Sequence, residues 1–128
     1  MLDLKYLRDN QQKAETALLK RMAATDFSLP AIFALDDKRR ELISQIETLK
    51  AERNKASKVK PDEATIKQMK ELGEKVKGLD EDLAKIELEL KEKMSALPNL
   101  PADDVSAGGK ENNKVVYTFG AQPKFDFE

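Results

Sequence analysis

Apolar residues in this chain fall at steps of three and four over most of its length. Leu4, Leu7, Ala14, Leu18 and Met22 share one face of a stretch from about Asp3 to Met22, which predicts an amphipathic helix. Asp3 is its expected N-cap. "AATDFSLP" then interrupts the pattern, with Ser28 as a cap and Pro30 in the opening turn of the next element. From about Ser28 to Ser57, positions 32, 35, 39, 42, 46, 49, 53 and 56 alternate strictly in steps of three and four. They are filled by Ile32, Leu35, Arg39, Leu42, Ile46, Leu49, Arg53 and Ala56. A third stretch, from about Asp62 to Ala96, opens with Pro61, Asp62 and Glu63, residues that suit the positive end of a helix dipole. Its seam is Met69, Leu72, Val76, Leu79, Leu83, Ile86 and Leu90, a heptad repeat.

Only Lys58, Val59 and Lys60 separate the two seams, and the proline after Lys60 disfavours helical geometry there. So short a connection makes neighbouring helices antiparallel. At 1.5 Å per residue each arm is about 45–50 Å long. The expected fold is therefore all-α: a long antiparallel two-helix coiled-coil hairpin over about residues 28–96, its tip at about 53–62, with the N-terminal helix packed at its base. Gly73 and Gly78 lie off the seam and each weakens the helix locally.

After Ala96 the periodicity ends. "LPNLPADDVSAGGKENNK" is rich in turn formers and reads as a linker. "VVYTF" predicts a short strand and "KFDFE" alternates apolar with polar residues. The division expected is residues 1–97 as a helical unit and 98–128 as a linker leading into a further domain. Phenylalanines gathered at the end of this tail have no core of their own to enter.

Composition narrows the chemistry. Of 128 residues, 37% are charged and 5% aromatic, with no tryptophan, so two long helices sharing a narrow seam fit better than a thick globular core. Cysteine and histidine are both absent. That removes disulfides, thiol nucleophiles, the usual zinc ligands and imidazole acid–base catalysis, and is compatible with a reducing, cytoplasmic location. The N-terminus carries a charge every few residues, unlike a signal peptide or membrane span, and no membrane partner is expected.

The net charge of −1 conceals a polarity. Between Lys50 and Lys77 nine basic residues face five acidic ones, giving +4 and leaving −5 for the remainder. Any one lysine on an exposed helix is ordinarily just solvated. An excess gathered at the end far from both termini is what a phosphate backbone rewards, through Coulomb attraction and counterion release. No aromatic residue lies among them, so recognition by shape and backbone of a helical RNA is expected, not base stacking. Arg39 and Arg53 on the seam have two readings, a polar residue that fixes register or an arginine that snorkels outward.

Neither "GGK" at 108–110 nor the carboxylates of "DEDLAKIELELKEK" forms a catalytic motif. The first lacks the spacing and strand–helix setting of a phosphate loop. The second are spread around a helix without a pocket. No catalytic residue, cofactor site or metal site is expected in this chain.

"MLDLKYLRDN", "LKAERNKASK" at 49–58, "LPNLPADDV" at 97–105 with "GGKENN", and the closing "FDFE" together resemble the N-terminal domain of bacterial seryl-tRNA synthetase. "AERN" and "LPNLP", in this order and separation, are the most specific parts. The resemblance implies a projecting hairpin that embraces the long variable arm of serine tRNA by backbone and shape contacts, with no role for DNA. It also implies a parent serine–tRNA ligase, a class II enzyme and homodimer through its catalytic domain, which uses ATP and Mg²⁺. By position it implies tRNA contacts for Arg53, Asn54, Lys55, Ser57 and Lys58, with Lys67 and Lys70 as weaker additions. A free-standing coiled-coil adaptor and a stand-alone tRNA-binding paralogue are the competing readings.

Overall fold

The computed structural model describes residues 2–57, 62–121 and 124. Among the described residues there are four α-helices, α1 (Leu4–Asp9), α2 (Gln11–Leu18), α3 (Leu29–Ala56) and α4 (Glu63–Ala96), and one short 3₁₀ helix (Lys110–Asn112). The start of α3 and the end of α4 share one core, since Leu29 and Ile32 pack with Leu90 and Met94. The two long helices are therefore antiparallel, as the short connection requires. The turn joining them, from Lys58 to Pro61, lies outside the described residues.

The caps follow the sequence closely. Asp3 accepts from the Tyr6 amide at 2.7 Å, Ser28 from the Ala31 amide at a longer 3.4 Å, and Asp62 from the Thr65 amide at 2.8 Å. Each satisfies an amide that the first turn leaves without a carbonyl partner.

One expected helix is two. The run from Asp3 to Met22 breaks at Asn10, whose φ of −126° and ψ of 37° leave the helical region. The Asn10 side chain donates to the Tyr6 carbonyl at 3.1 Å, beside the bond from its own backbone amide to the same oxygen at 3.0 Å. Asparagine competes with the regular backbone ladder in this way. Helix α2 then stops at Leu18, and residues 19–22 continue as a turn closed on the carbonyls of Glu15, Ala17 and Leu18.

Most of the core lies at the base. Leu7, Ala14 and Leu18 from α1 and α2 meet Leu29, Ile32 and Phe33 of α3, Leu90 and Met94 of α4, and Leu97. Leu100 packs against the same cluster, so apolar packing runs past the end of α4 into the stretch expected as linker. Along the arm the seam is thinner: Ile46, Leu72, Val76 and Ile86 are buried, while Leu42, Leu49, Met69, Leu79 and Leu83 are only half-buried. Midway, Lys50 Nζ lies 3.5 Å from Asp80 Oδ1, an exposed pair across the two helices.

Asp36 has no apolar partner type yet sits fully buried at the base. Three arginines surround it: Arg8 at 3.2 Å, Arg39 at 2.9 Å and Arg40 at 2.9 Å. Arg8 also donates to the Phe33 carbonyl at 3.3 Å and lies over the Phe33 ring, 5.0 Å from its centroid. The seam position of Arg39 thus resolves structurally, as a guanidinium held along its own helix by Asp36.

The expected strand at "VVYTF" is not formed. Among the described residues there is no strand, and Val115, Val116, Tyr117 and Phe119 are all largely exposed. An extended segment becomes a strand only where a neighbouring chain completes its ladder. Most of "KFDFE" lies outside the described residues. The "GGK" stretch forms a tight turn: Gly108 has φ +100°, and the amide of its neighbour Gly109 donates to the Glu111 carboxylate at 2.9 Å. A side chain at Gly108 would collide with Asn112, which bonds the Ala107 carbonyl at 2.8 Å.

Candidate nucleic-acid interface

The last turn of α3 and the first two turns of α4 occupy the same end of the hairpin. Arg53, Asn54, Lys55 and Ser57 are all exposed on the first. Ser57 ends α3 by donating its hydroxyl to the Asn54 carbonyl at 2.9 Å and its amide to the Arg53 carbonyl at 3.0 Å. Its hydroxyl is thereby turned back on the helix, while Arg53, Asn54 and Lys55 project. Lys67 and Lys70 are exposed on the opening turns of α4. Lys58, expected beside them, lies outside the described residues.

Cations outnumber acids toward this end, nine to five between Lys50 and Lys77. Among the described residues, none of Arg53, Lys55, Lys67 and Lys70 takes a carboxylate partner, whereas Lys50, Lys85 and Lys93 farther down the hairpin do. Arg53 and Lys55 also sit in the last turn of α3, where the negative end of the helix dipole favours cations. That accounts for their presence there, but not for Lys67 and Lys70 near the opposite, positive end of α4.

Asp62 anchors the second half of the tip. Its carboxylate accepts from the Thr65 hydroxyl and from the Thr65 amide. Those two bonds, hydroxyl first, hold its pKa below the ordinary aspartate value. The carboxylate oxygens are thus engaged at the helix start, and among the described residues Asp62 forms no ion pair with a lysine.

A shallow groove between the helices runs from this end toward the middle of the arm, lined by Lys50, Arg53, Gly73, Val76, Lys77, Asp80 and Glu81. Here the basic surface gives way to the acidic one. Arg53 borders this groove, so its seam position faces α4 without being buried. Lys77 joins Arg53 there, although it lies beside the seam residue Val76 and not on the seam itself. Exposed Ile66 is the apolar side chain of this end.

No group of three or more acidic residues able to hold a metal ion occurs among the described residues, and no helix there is long and apolar enough to cross a membrane. The geometry is that of a binding surface: a rigid arm, about 42 Å long in α3 and about 51 Å in α4 by helical rise, carrying positive charge at its free end.

Comparison with known proteins agrees with this geometry. The family described as the seryl-tRNA synthetase N-terminal domain matches residues 1–101. The chain is 42% identical to serine–tRNA ligase 2 of Clostridium acetobutylicum over 137 aligned positions, covering all of the chain and 32% of that relative. It is 41% identical to the serine–tRNA ligase of Syntrophotalea carbinolica and 39% to that of Geobacter sulfurreducens, again covering all of the chain and 32% of each. The chain thus spans about a third of the length of these curated relatives. A helical base, a long antiparallel hairpin and a match over the entire helical unit lead to one conclusion: this chain belongs to the seryl-tRNA synthetase N-terminal domain family.

Proposed function

We propose that the hairpin is the tRNA-binding arm of a serine–tRNA ligase and that its tip engages the long variable arm of serine tRNA. The observation that carries this reading is the set of exposed, carboxylate-free cations Arg53, Lys55, Lys67 and Lys70 at the end farthest from the packed base. Asn54 adds a neutral donor and acceptor among them, Ser57 fixes the end of α3, and Lys58 follows directly in sequence. An RNA helix presents phosphates at regular spacing, and cations on two facing helices can straddle them without reading bases.

The names of the relatives support a parent that ligates serine to tRNA; on this reading it activates the serine with ATP and Mg²⁺ and works in the cytoplasm. ATP and its metal are substrates of the portion that this chain does not span. The parent is a homodimer through that portion, and the arm of one subunit directs the acceptor end of the RNA toward the active site of the other. This chain's part is binding and orientation only.

The test is a binding titration of the chain with a serine tRNA and with a tRNA lacking the long variable arm. Three phosphate contacts give about a 40-fold loss of affinity between 50 and 200 mM salt. Selective binding, weakened by salt and by Lys55→Ala with Lys67→Ala, supports the reading. Equal or absent binding to both RNAs at low salt contradicts it and favours a coiled-coil module acting on protein partners.

A further inference from the structure

The arm's attachment carries a feature that RNA contact does not explain. Lys20 and Arg21 follow α2 in the turn that closes it, one and two residues past the C-cap Leu19. Lys20 Nζ donates to two carbonyls of the passing chain, Asp103 and Val105, each at 3.0 Å. Arg21 donates to the Asn99 carbonyl, also at 3.0 Å. Among the described residues neither cation takes a carboxylate partner. Their charge is directed instead at backbone oxygens more than seventy positions away, outside any helix or strand ladder.

The surroundings make this a fixed clamp. Leu18, immediately before the turn, is fully buried, and Met22, its last residue, packs against the same core. Backbone bonds from Lys20 to Ala17 and from Arg21 and Met22 to Leu18 hold the turn itself. On the other side, Leu97 and Leu100 enter that core, and prolines 98 and 101 restrict the backbone between the contact points. Three charge-assisted bonds spread over residues 99–105 determine where the strand of chain goes next.

We infer that Lys20 and Arg21 are positioning residues, forming a latch that fixes the direction in which the chain leaves the helical base. Resting on the reading of the hairpin as an RNA-binding arm, the latch sets the angle between the arm and whatever follows residue 105. An RNA held at the tip is then presented to the remainder of the enzyme at one orientation. A hinge loosened by 10° at the base moves the end of a 45 Å arm by about 8 Å, so the latch matters for presentation but not for affinity.

The experiment measures the latch without requiring RNA. The chain contains no cysteine, so a spin-label pair can be introduced at exposed Gln12 and Ser106 and their distance distribution read by pulsed electron resonance. The expected result is a narrow distribution that broadens at least twofold in Lys20→Ala with Arg21→Ala. Lys20→Arg, which keeps the donor, is expected to restore most of the narrowness. Helix content, by circular dichroism, and affinity for tRNA are expected to stay unchanged in all variants. A broad distribution in the unsubstituted chain, or one unaffected by the double substitution, overturns the latch. Failure of the RNA-binding reading is separate: it appears as missing tRNA binding in the unsubstituted chain, whatever the label distances.

Discussion

The Arg8 guanidinium of α1 reaches 3.2 Å from the Asp36 carboxylate of α3, and that carboxylate is shut off from solvent. The contact ties the N-terminal helix to the hairpin at a point where apolar packing alone would not specify rotation. Arg8, Arg39 and Arg40 remain partly exposed, so water shares the burden of their charge. Asp36→Asn removes the anion while keeping its shape. It is expected to cost about 2 kcal/mol, the scale of hydrogen bonds to a charged group, read from chemical denaturation. An unchanged midpoint would show that the knot adds no net stability.

The same residue sets the acid limb of stability. Burial raises the Asp36 pKa, but the Arg39 hydrogen bond and the charges of Arg40 and Arg39, followed by Arg8, outweigh it, and the net shift is downward. A carboxylate with a depressed folded pKa stabilises the fold fully above its unfolded value, about 3.9. That contribution is lost as pH falls through the folded value. Thermal stability is therefore expected to stay level from about pH 8 to 5 and to decline below about pH 4. No histidine is present to add a step near neutrality. In Asp36→Asn the decline is expected to be shallower.

Gly73 and Gly78 offer the opposite effect. A Cβ built at either position meets nothing within 4 Å, so alanine brings helix propensity without a clash. Each substitution is expected to stabilise the hairpin by about 0.5–1 kcal/mol, measured by thermal or urea unfolding. A loss of stability at Gly73, which borders the inter-helix groove, would mean that the two helices approach more closely than these positions allow.

Burial along the hairpin is uneven, and local stability is expected to follow it. Leu18, Leu29 and Ile32 at the base are 0–2% exposed, whereas Leu49 and Met69 on the outer seam are only half-buried. Amide hydrogen exchange is expected to be slowest around Leu29–Phe33 and Leu90–Met94. It should quicken steadily toward Arg53 and Thr65, because opening the outer turns exposes little apolar surface. Uniform protection along both helices would instead indicate a single cooperative unit.

The heptad seams made α3 and α4 legible almost to the residue, because a narrow interface leaves its period written plainly in Ile46, Leu72, Val76 and Ile86. Caps at Asp3 and Ser28 were legible for a local reason, a short oxygen-bearing side chain ahead of an apolar run, and Asp62 was legible as an acid at a helix start, not as its cap. The break at Asn10 was not, since its side-chain bond to Tyr6 competes with a helix that the apolar pattern still supports. Nor was the Asp36 knot, because a carboxylate next to Asp37 and Lys38 looks solvated until α1 is packed across it. The tail misled differently: Val115–Phe119 has strand composition, but composition supplies no neighbouring strand. At the candidate site both the cations and their shared end were legible, because the short connection between the seams already required antiparallel helices. Lys20 and Arg21 bond backbone oxygens distant in sequence, and nothing in their own neighbourhood announces it.

The most direct measurement is a site-specific crosslink from the tip. A single cysteine at exposed Ala64, carrying a photoactivatable group, is placed among the candidate contacts without replacing any of them. Crosslinked nucleotides on serine tRNA are then mapped by reverse transcription. The expected result is crosslinks confined to the long variable arm and its junction, abolished in Lys55→Ala with Lys67→Ala. Crosslinks on the anticodon or acceptor stem instead, or a pattern indifferent to the tip lysines, would contradict the assignment of this end of the hairpin as the RNA-reading surface.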